Sequence, residues 1–216
     1  MDWKKLKTMN RNEWIKNTVL YLMGVIFGPM GAVLTINAHL GASGYDALNF
    51  AVADQLNISV SNAVTITAFI VLCITACIRR SYPRIETFVT SFLQGLCTNF
   101  WNEILADIQG TNFLVSLVIL LVGLLIISVG AGCYMLSVFP TNAIDDVVVA
   151  MREKKVSIPV SKISTDGVCV TLAFLLGGEI GFGTIICTAA LGPMINISNK
   201  MVSGLLQRSN RKVIQA

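Results

Sequence analysis

The chain has 216 residues, of which 54% are hydrophobic and only 13% are charged, and its mean hydropathy is +0.71. Because a soluble domain averages about 25% charged residues, this composition excludes a protein whose whole surface faces water. The length suits one membrane domain of about six helices, with no separate soluble catalytic domain, and the net charge of +4 does not indicate a nucleic-acid partner.

Six apolar runs predict six spanning helices joined by short loops. The basic, amphipathic residues 1–16 precede the first run, which continues too far for a cleaved signal peptide, so we expect an uncleaved span. The predicted spans are 17–38, 62–78, 85–105, 113–138, 163–178 and 182–203, followed by a basic tail at 205–216. Gly24 and Gly28 in the first span have the spacing of a close helix contact.

The positions of the cations predict the orientation of these spans. All 16 Lys and Arg residues lie before the first span, in alternate loops, or at or after the end of the sixth span. This count places Lys162 in the loop before the fifth span. By the positive-inside rule, we expect a multi-pass protein of the cytoplasmic membrane with both termini cytoplasmic.

The segments 17–110 and 111–204 resemble each other. "ISVSN" at 58–62 matches "IPVSK" at 158–162, and "GA" at 31–32 matches "GA" at 130–131, which places Asp46 opposite Asp145. Each half contains three predicted spans, and an odd number means that the second half enters the membrane in the opposite direction. We therefore expect an all-α polytopic fold of two inverted-topology three-helix repeats.

Two short apolar segments, 46–56 and 143–151, are too short to cross a bilayer. They follow equivalent turns, "LGASGYD" and "FPTNAID". One interpretation is a pair of re-entrant half-helices, one from each side of the membrane. The other is a pair of amphipathic helices lying at the interface.

Three carboxylates are candidates for a substrate or ion pathway. Asp46 and Asp145 begin the two short segments, where each could bind a cation or proton or could instead cap a helix. Asp166 lies inside the fifth span, four residues after Lys162, and could take part in transport or pair with that lysine near the headgroups.

Polar residues in the third and sixth spans give a second group of candidates. The motif Thr87-x7-Gly95-x3-Asn99 matches Thr184-x7-Gly192-x3-Asn196. Each glycine shares a helix face with its asparagine, which favours helix packing at Gly95 and Gly192 with a hydrogen bond beside it. A polar midplane cavity lined by Gln94, Asn99 and Asn196 is the alternative.

The sequence contains few residues or motifs that could bind a metal or a cofactor. The six cysteines lie in apolar runs and are expected to pack as small hydrophobic side chains, including the pair Cys73 and Cys77. There is one histidine, and the common hydrolase and nucleotide-binding motifs are absent. We expect no cofactor, no metal and no enzymatic activity.

The paired turns, the "ISVSNAV" segment and the late "GFGTIICTAALGPMIN" helix resemble the YczE/YitT-like uncharacterised integral membrane proteins of bacteria. The likeness covers about residues 20–203. It implies a small polytopic protein of the bacterial cytoplasmic membrane and supplies no substrate or catalytic residue. Gly44-Tyr45 stands where a proline often precedes the first aspartate, and Glu86 replaces a glycine. We expect no C-terminal soluble domain of the kind that larger YitT-like proteins carry.

The leading functional hypothesis is a transporter or permease for a small solute, with its site between the two halves. The scarcity of charge within the spans favours a neutral, zwitterionic or amphipathic substrate. The alternative is a non-transporting accessory or ligand-binding subunit that works with a partner protein. The lipid bilayer is the first expected partner, and the sequence leaves open a second copy of the chain or another membrane protein.

Overall fold

The structure is a computed structural model that describes residues 8–178 and 180–214, and every regular element in these ranges is an α-helix. Six helices follow the predicted spans in order, and the shorter α2 and α6 follow the two predicted short segments. The helices are α1 (Arg11–Asn37), α2 (Gly44–Leu56), α3 (Val60–Arg79), α4 (Ile85–Ile104), α5 (Phe113–Tyr134), α6 (Ala143–Glu153), α7 (Ile158–Leu175) and α8 (Phe182–Ile214).

Three helices extend well beyond their predicted bounds, and at α1 and α7 the added residues follow an N-cap residue that precedes the apolar run. At α1, the side chain of Asn10 accepts from Glu13 N and the side chain of Glu13 accepts from Asn10 N, so the helix begins at Arg11 and not at residue 17. α7 begins at Ile158, five residues before the predicted start, with Ser157 as its N-cap residue and Pro159 in its first turn. α8 runs beyond residue 203 to Ile214 and so includes most of the predicted tail.

Four of the described helices, α1, α3, α5 and α7, are long and apolar enough to cross a membrane. Large apolar side chains are exposed along them, for example Phe69 on α3 and Leu114 on α5. Such faces are compatible with lipid and not with water. Cys73 and Cys77 also lie on the exposed side of α3, so the prediction that they pack in the core was wrong.

The centre of the bundle is the long contact between α1 and α5, which glycines allow. A Cβ atom on Gly31 would lie 2.6 Å from Gly123 O, and one on Gly123 would lie 2.8 Å from Gly31 O. A Cβ atom on Gly24 would meet the side chain of Tyr134, while Gly28 has room beside Gln94. On the flanks of this contact, α1 packs against α4 and α5 packs against α8.

The short helices α2 and α6 are integral parts of the bundle. α2 packs against α7 and α3, whereas α6 packs against α3 and α7. Seven of the 13 residues of α2 and seven of the 11 residues of α6 are buried, which is more than a helix lying on a surface would bury.

The two short helices end at opposite ends of the bundle. Gln55 near the end of α2 donates to Leu176 O at the end of α7, with 2.9 Å between the atoms. Glu153 at the end of α6 instead bonds Arg79 at the end of α3. We call the end with Arg79, Arg84 and Glu153 the basic end, and the end with Gln55 and Leu176 the opposite end.

Candidate functional site

A central cavity of about 80 Å³ lies where the first residues of α2 and α6 meet. Its walls come from both halves of the chain. Its polar lining residues are Ser43, Tyr45, Asp46, Asn49, Gln94, Thr98, Tyr134, Asn142, Asp145 and Lys162.

Lys162 carries the positive charge of this cavity. Its Nζ atom lies 3.2 Å from Asp166 Oδ1 and 3.6 Å from Asp145 Oδ1, and all three side chains are at most 8% exposed. Because α7 already begins at Ile158, Lys162 and Asp166 are helical neighbours at i and i+4 on one face. The placement of Lys162 in a loop was therefore wrong, whereas its predicted pairing with Asp166 is present, with both side chains buried in the bundle.

Asp145 is held by groups from three directions. The Tyr134 hydroxyl donates to Asp145 Oδ2, and Lys162 faces Oδ1. The cap of α6 is supplied by Asn142, whose Oδ1 atom accepts from Asp145 N at 2.8 Å. The carboxylate of Asp145 is thus free of the capping role and lines the cavity.

Asp46 occupies the equivalent position on α2. Ser43 is the N-cap residue, and its hydroxyl donates to Asp46 Oδ2 at 2.5 Å. The carboxylate of Asp46 therefore also lines the cavity, three residues into its helix, as Asp145 does on α6.

Carboxyl groups outnumber basic groups in this cluster. Asp46, Asp145 and Asp166 supply three carboxylates, and Lys162 supplies one ammonium group. Asp166 has 0% exposed surface and pairs with Lys162, while neither of its carboxylate oxygens has a hydrogen-bond partner among the described residues. Nor are any three described His, Cys, Asp or Glu side chains arranged to hold a metal ion. The arrangement complements a cationic group or a proton.

Amide side chains complete the polar wall. Asn142 Nδ2 donates to Gln94 Oε1 at 2.7 Å, which ties the cap of α6 to α4. Thr67 Oγ1 on α3 donates to Asn49 Oδ1 on α2 at 2.5 Å. These contacts fix the oxygen and nitrogen atoms that a bound solute would meet.

The structure separates the predicted candidates into two groups. Asp46, Asp145 and Gln94 line the cavity, and Asp166 lies behind Lys162. Asn99 and Asn196 do not line it.

Asn99 takes part in helix packing. Its Oδ1 atom accepts from Ser61 N at 3.3 Å, beside Gly95, where a Cβ atom would lie 3.3 Å from Ser61 Cα. At the equivalent crossing, a Cβ atom on Gly192 would lie 2.9 Å from Pro159 Cα.

Sequence reasoning missed Lys162, Tyr134, Asn142 and Asn49 as cavity residues. The i,i+4 spacing of Lys162 and Asp166 can be read from the sequence. Hydropathy, however, predicted that the helix begins at residue 163, which left Lys162 outside it. Asn142 is offset by 99 positions from Ser43, as Asp145 is from Asp46. That offset is the signal that would have identified the two caps.

Two further pockets flank the central cavity. The basic-end pocket, of about 260 Å³, is lined by residues that include Arg84, Val138, Pro140, Asp146 and Val149. The opposite-end pocket, of about 230 Å³, is lined by residues that include His39, Gly41, Ala47, Phe50 and Asp54. Val138, Pro140, Asp146 and Val149 are each offset by 99 positions from His39, Gly41, Ala47 and Phe50.

An ionic network lies at the basic end, and we call it the basic-end network. Arg79 bonds both Asp146 and Glu153, and Arg84 lies 3.5 Å from Asp146 and 3.4 Å from Glu153. Partial burial opposes ionisation of Glu153, but the contacts with Arg79 and Arg84 outweigh it and lower the pKa of Glu153. The network joins α6 to α3 and to the start of α4.

Comparison with known proteins identifies similar sequences and gives no activity. Residues 15–200 match the family of unknown function DUF6198. The uncharacterized protein YyaS of Bacillus subtilis (strain 168) is 25% identical over 194 residues, which cover 89% of this chain and 96% of YyaS. The uncharacterized membrane protein YczE of the same organism is 25% identical over 192 residues, which cover 87% of each chain. No solved structure matches the chain. The resemblance to YczE-like proteins is confirmed.

Proposed function

The chain belongs to the family of unknown function DUF6198, and we propose that it is a multi-pass membrane transporter for a small solute. One observation carries the proposal: Lys162, Asp145 and Asp46 surround a cavity inside a helix bundle whose outer surface is apolar. Ionisable groups are costly within a membrane, and those retained there commonly mark substrate or ion pathways.

We assign six spans to the fold, arranged as two inverted three-helix repeats. The packing supports this assignment, since the contacts of α2 with α7 and α3 have counterparts in those of α6 with α3 and α7. Likewise, the pair α1 and α4 corresponds to the pair α5 and α8. Exposed apolar residues such as Phe100 on α4 and Ile185 on α8 give these two helices lipid-compatible faces.

In this arrangement α2 and α6 are re-entrant half-helices that begin near the midplane. The basic end carries Arg79, Arg84, Lys154 and Lys155, so the positive-inside rule assigns it to the cytoplasm of a bacterium. Broken or re-entrant helices that present their first turns to a central site are a recurring feature of secondary transporters.

The flanking pockets supply the two access routes that a transporter needs. Asp146 follows Asp145 on α6, and Ala47 follows Asp46 on α2, so the first turn of each short helix contributes to the central cavity and to one flanking pocket. The basic-end network holds the cytoplasmic route closed, and its loss would release α6 from α3.

A counterflow assay tests the proposal. Purified protein is first screened against small metabolites by thermal shift, because a bound ligand stabilises the folded state. Proteoliposomes loaded with a stabilising solute should then accumulate the same solute in radiolabelled form. We expect Asp145→Asn to abolish this accumulation and Asp107→Asn, at an exposed position, to leave it unchanged.

The alternative of an accessory subunit predicts another result. The protein would then bind its ligand without counterflow and would purify with a stoichiometric membrane partner. That combination would contradict the transporter proposal.

A further inference from the structure

An apolar groove of about 670 Å³ lies on the flank of the bundle between α3 and α7. The main packing partners of α3 are α2, α4 and α6, and those of α7 are α2, α6 and α8, so a space remains between α3 and α7. The groove walls include Ile70, Ile74, Val168 and Leu172. Its volume lies within the range of roughly 300–1,000 Å³ that is usual for small-molecule sites.

The floor of the groove is also a wall of the central cavity. Ile144, the second residue of α6, lines both spaces. Thr67 faces the groove and donates to Asn49, which lines the cavity. A layer about one side chain thick therefore separates a polar space lined by carboxyl groups from an apolar space.

The two spaces differ in what they can hold. The central cavity, at about 80 Å³, has room for only a few water molecules. A charged head of that size would meet the carboxylates of Asp46 and Asp145. A longer apolar tail would not fit beside it and would have to lie in the groove.

We infer that the substrate is an amphipathic cation, an alkylamine-like molecule whose ammonium head binds the central cavity and whose tail lies in the groove between α3 and α7. The inference rests on the proposed transport function and names its substrate class. Charge complementarity selects the head, since the carboxyl groups of Asp46 and Asp145 line the cavity. The ammonium group of Lys162 is already paired with Asp145 and Asp166. The apolar walls select the tail, and Ile144, which lines both spaces, is the side chain that must move aside for one molecule to occupy both.

Photo-crosslinking in lipid nanodiscs tests this inference. The probe is dodecylamine with a diazirine near the end of its chain, and the uncharged comparison is dodecanol with the same diazirine. We expect the amine to label α3 and α7 about tenfold more than the alcohol does, a ratio that roughly one hydrogen bond to a charged group supplies.

Two pairs of variants locate the head and the tail. Asp145→Asn should reduce labelling by the amine toward the level of the alcohol, while Asp107→Asn should not. Val168→Trp fills the groove and should reduce labelling, while Val118→Trp serves as its control on the exposed face of α5. Val168 and Val118 are similarly exposed, at 62% and 59%.

Equal labelling of the groove by the amine and the alcohol would overturn the inference, because the groove would then hold lipid without regard to charge. Labelling that Asp145→Asn leaves unchanged would also overturn it. If counterflow of another solute still depended on Asp145, the transporter proposal would stand while this substrate class failed. If the amine labelled the groove selectively but no solute showed counterflow, the transporter proposal would be contradicted. The protein would then be one that binds amines without transporting them.

Discussion

Lys162 offsets part of a negative charge that has been removed from water. Its side chain lies between Asp145 and Asp166, and Asp46 lines the same cavity. A buried ion pair adds little net stability, because the loss of hydration offsets the attraction, but removing one partner leaves a buried charge without compensation. Lys162 is therefore the residue whose loss should disturb the site most.

We predict that Lys162→Met lowers the free energy of unfolding by about 3–5 kcal/mol, the usual effect of breaking a buried pair. The double variant Lys162→Met/Asp166→Asn should recover part of this loss, because it also removes a carboxylate. Denaturant unfolding in detergent measures both, with Lys154→Met at an exposed position as the control. A Lys162→Met protein as stable as the parent would contradict the charge account.

At the scale of the elements, the crossing of α2 and α7 sets the position of Asp46 relative to Lys162. Gly44 makes this crossing possible, since a Cβ atom there would overlap the backbone oxygen of Asp166. Gly167, the residue after Asp166, has no atom within 4 Å of an added Cβ and is a matched position for comparison.

We predict that Gly44→Ala destabilises the protein by about 1–3 kcal/mol, because two helix backbones must separate. Gly167→Ala should be neutral or stabilising by up to about 1 kcal/mol, since alanine favours the helix and meets no obstacle. Thermal unfolding of the two variants under one condition checks the contrast. Equal effects at the two sites would mean that α2 and α7 do not approach as closely as the structure shows.

Helix positions could be predicted from hydropathy, whereas helix starts and the site could not be predicted fully. The runs around Phe69 and Leu121 identify α3 and α5 because their apolar residues continue through the helix. The start of α7 depends on Ser157 and Pro159, which a hydropathy window does not register, and so Lys162 was assigned to a loop. The meeting of Tyr134 with Asp145 depends on the turn between α5 and α6, which sequence spacing alone does not determine.

For the whole molecule, the proposed arrangement of two inverted repeats implies an alternating order of loops across the membrane. We predict that topology reporters fused at residues 55, 82, 109, 153 and 180 report outside, inside, outside, inside and outside. The expectation follows from the basic residues at the end that contains Arg79 and Arg84. Paired phosphatase and fluorescent-protein fusions measure each position from both sides, and any other order would contradict the inverted repeat.

As a transporter, the protein must open its cavity alternately to the two ends of the bundle. Phe50 in the opposite-end pocket and Val149 in the basic-end pocket are a matched pair for measuring access, since both are half-buried and they are offset by 99 positions. Each would be replaced by cysteine in a protein whose six native cysteines have been removed. Arg79→Gln breaks the basic-end network without any ligand, and Arg80→Gln at the exposed neighbouring position is the control.

The most direct measurement is the rate at which a membrane-impermeant maleimide labels these two cysteines. We predict that Arg79→Gln raises the labelling rate at position 149 several-fold and lowers it at position 50, because opening one route closes the other. Arg80→Gln should change neither rate. A rise at position 149 with an unchanged or higher rate at position 50 would contradict alternating access.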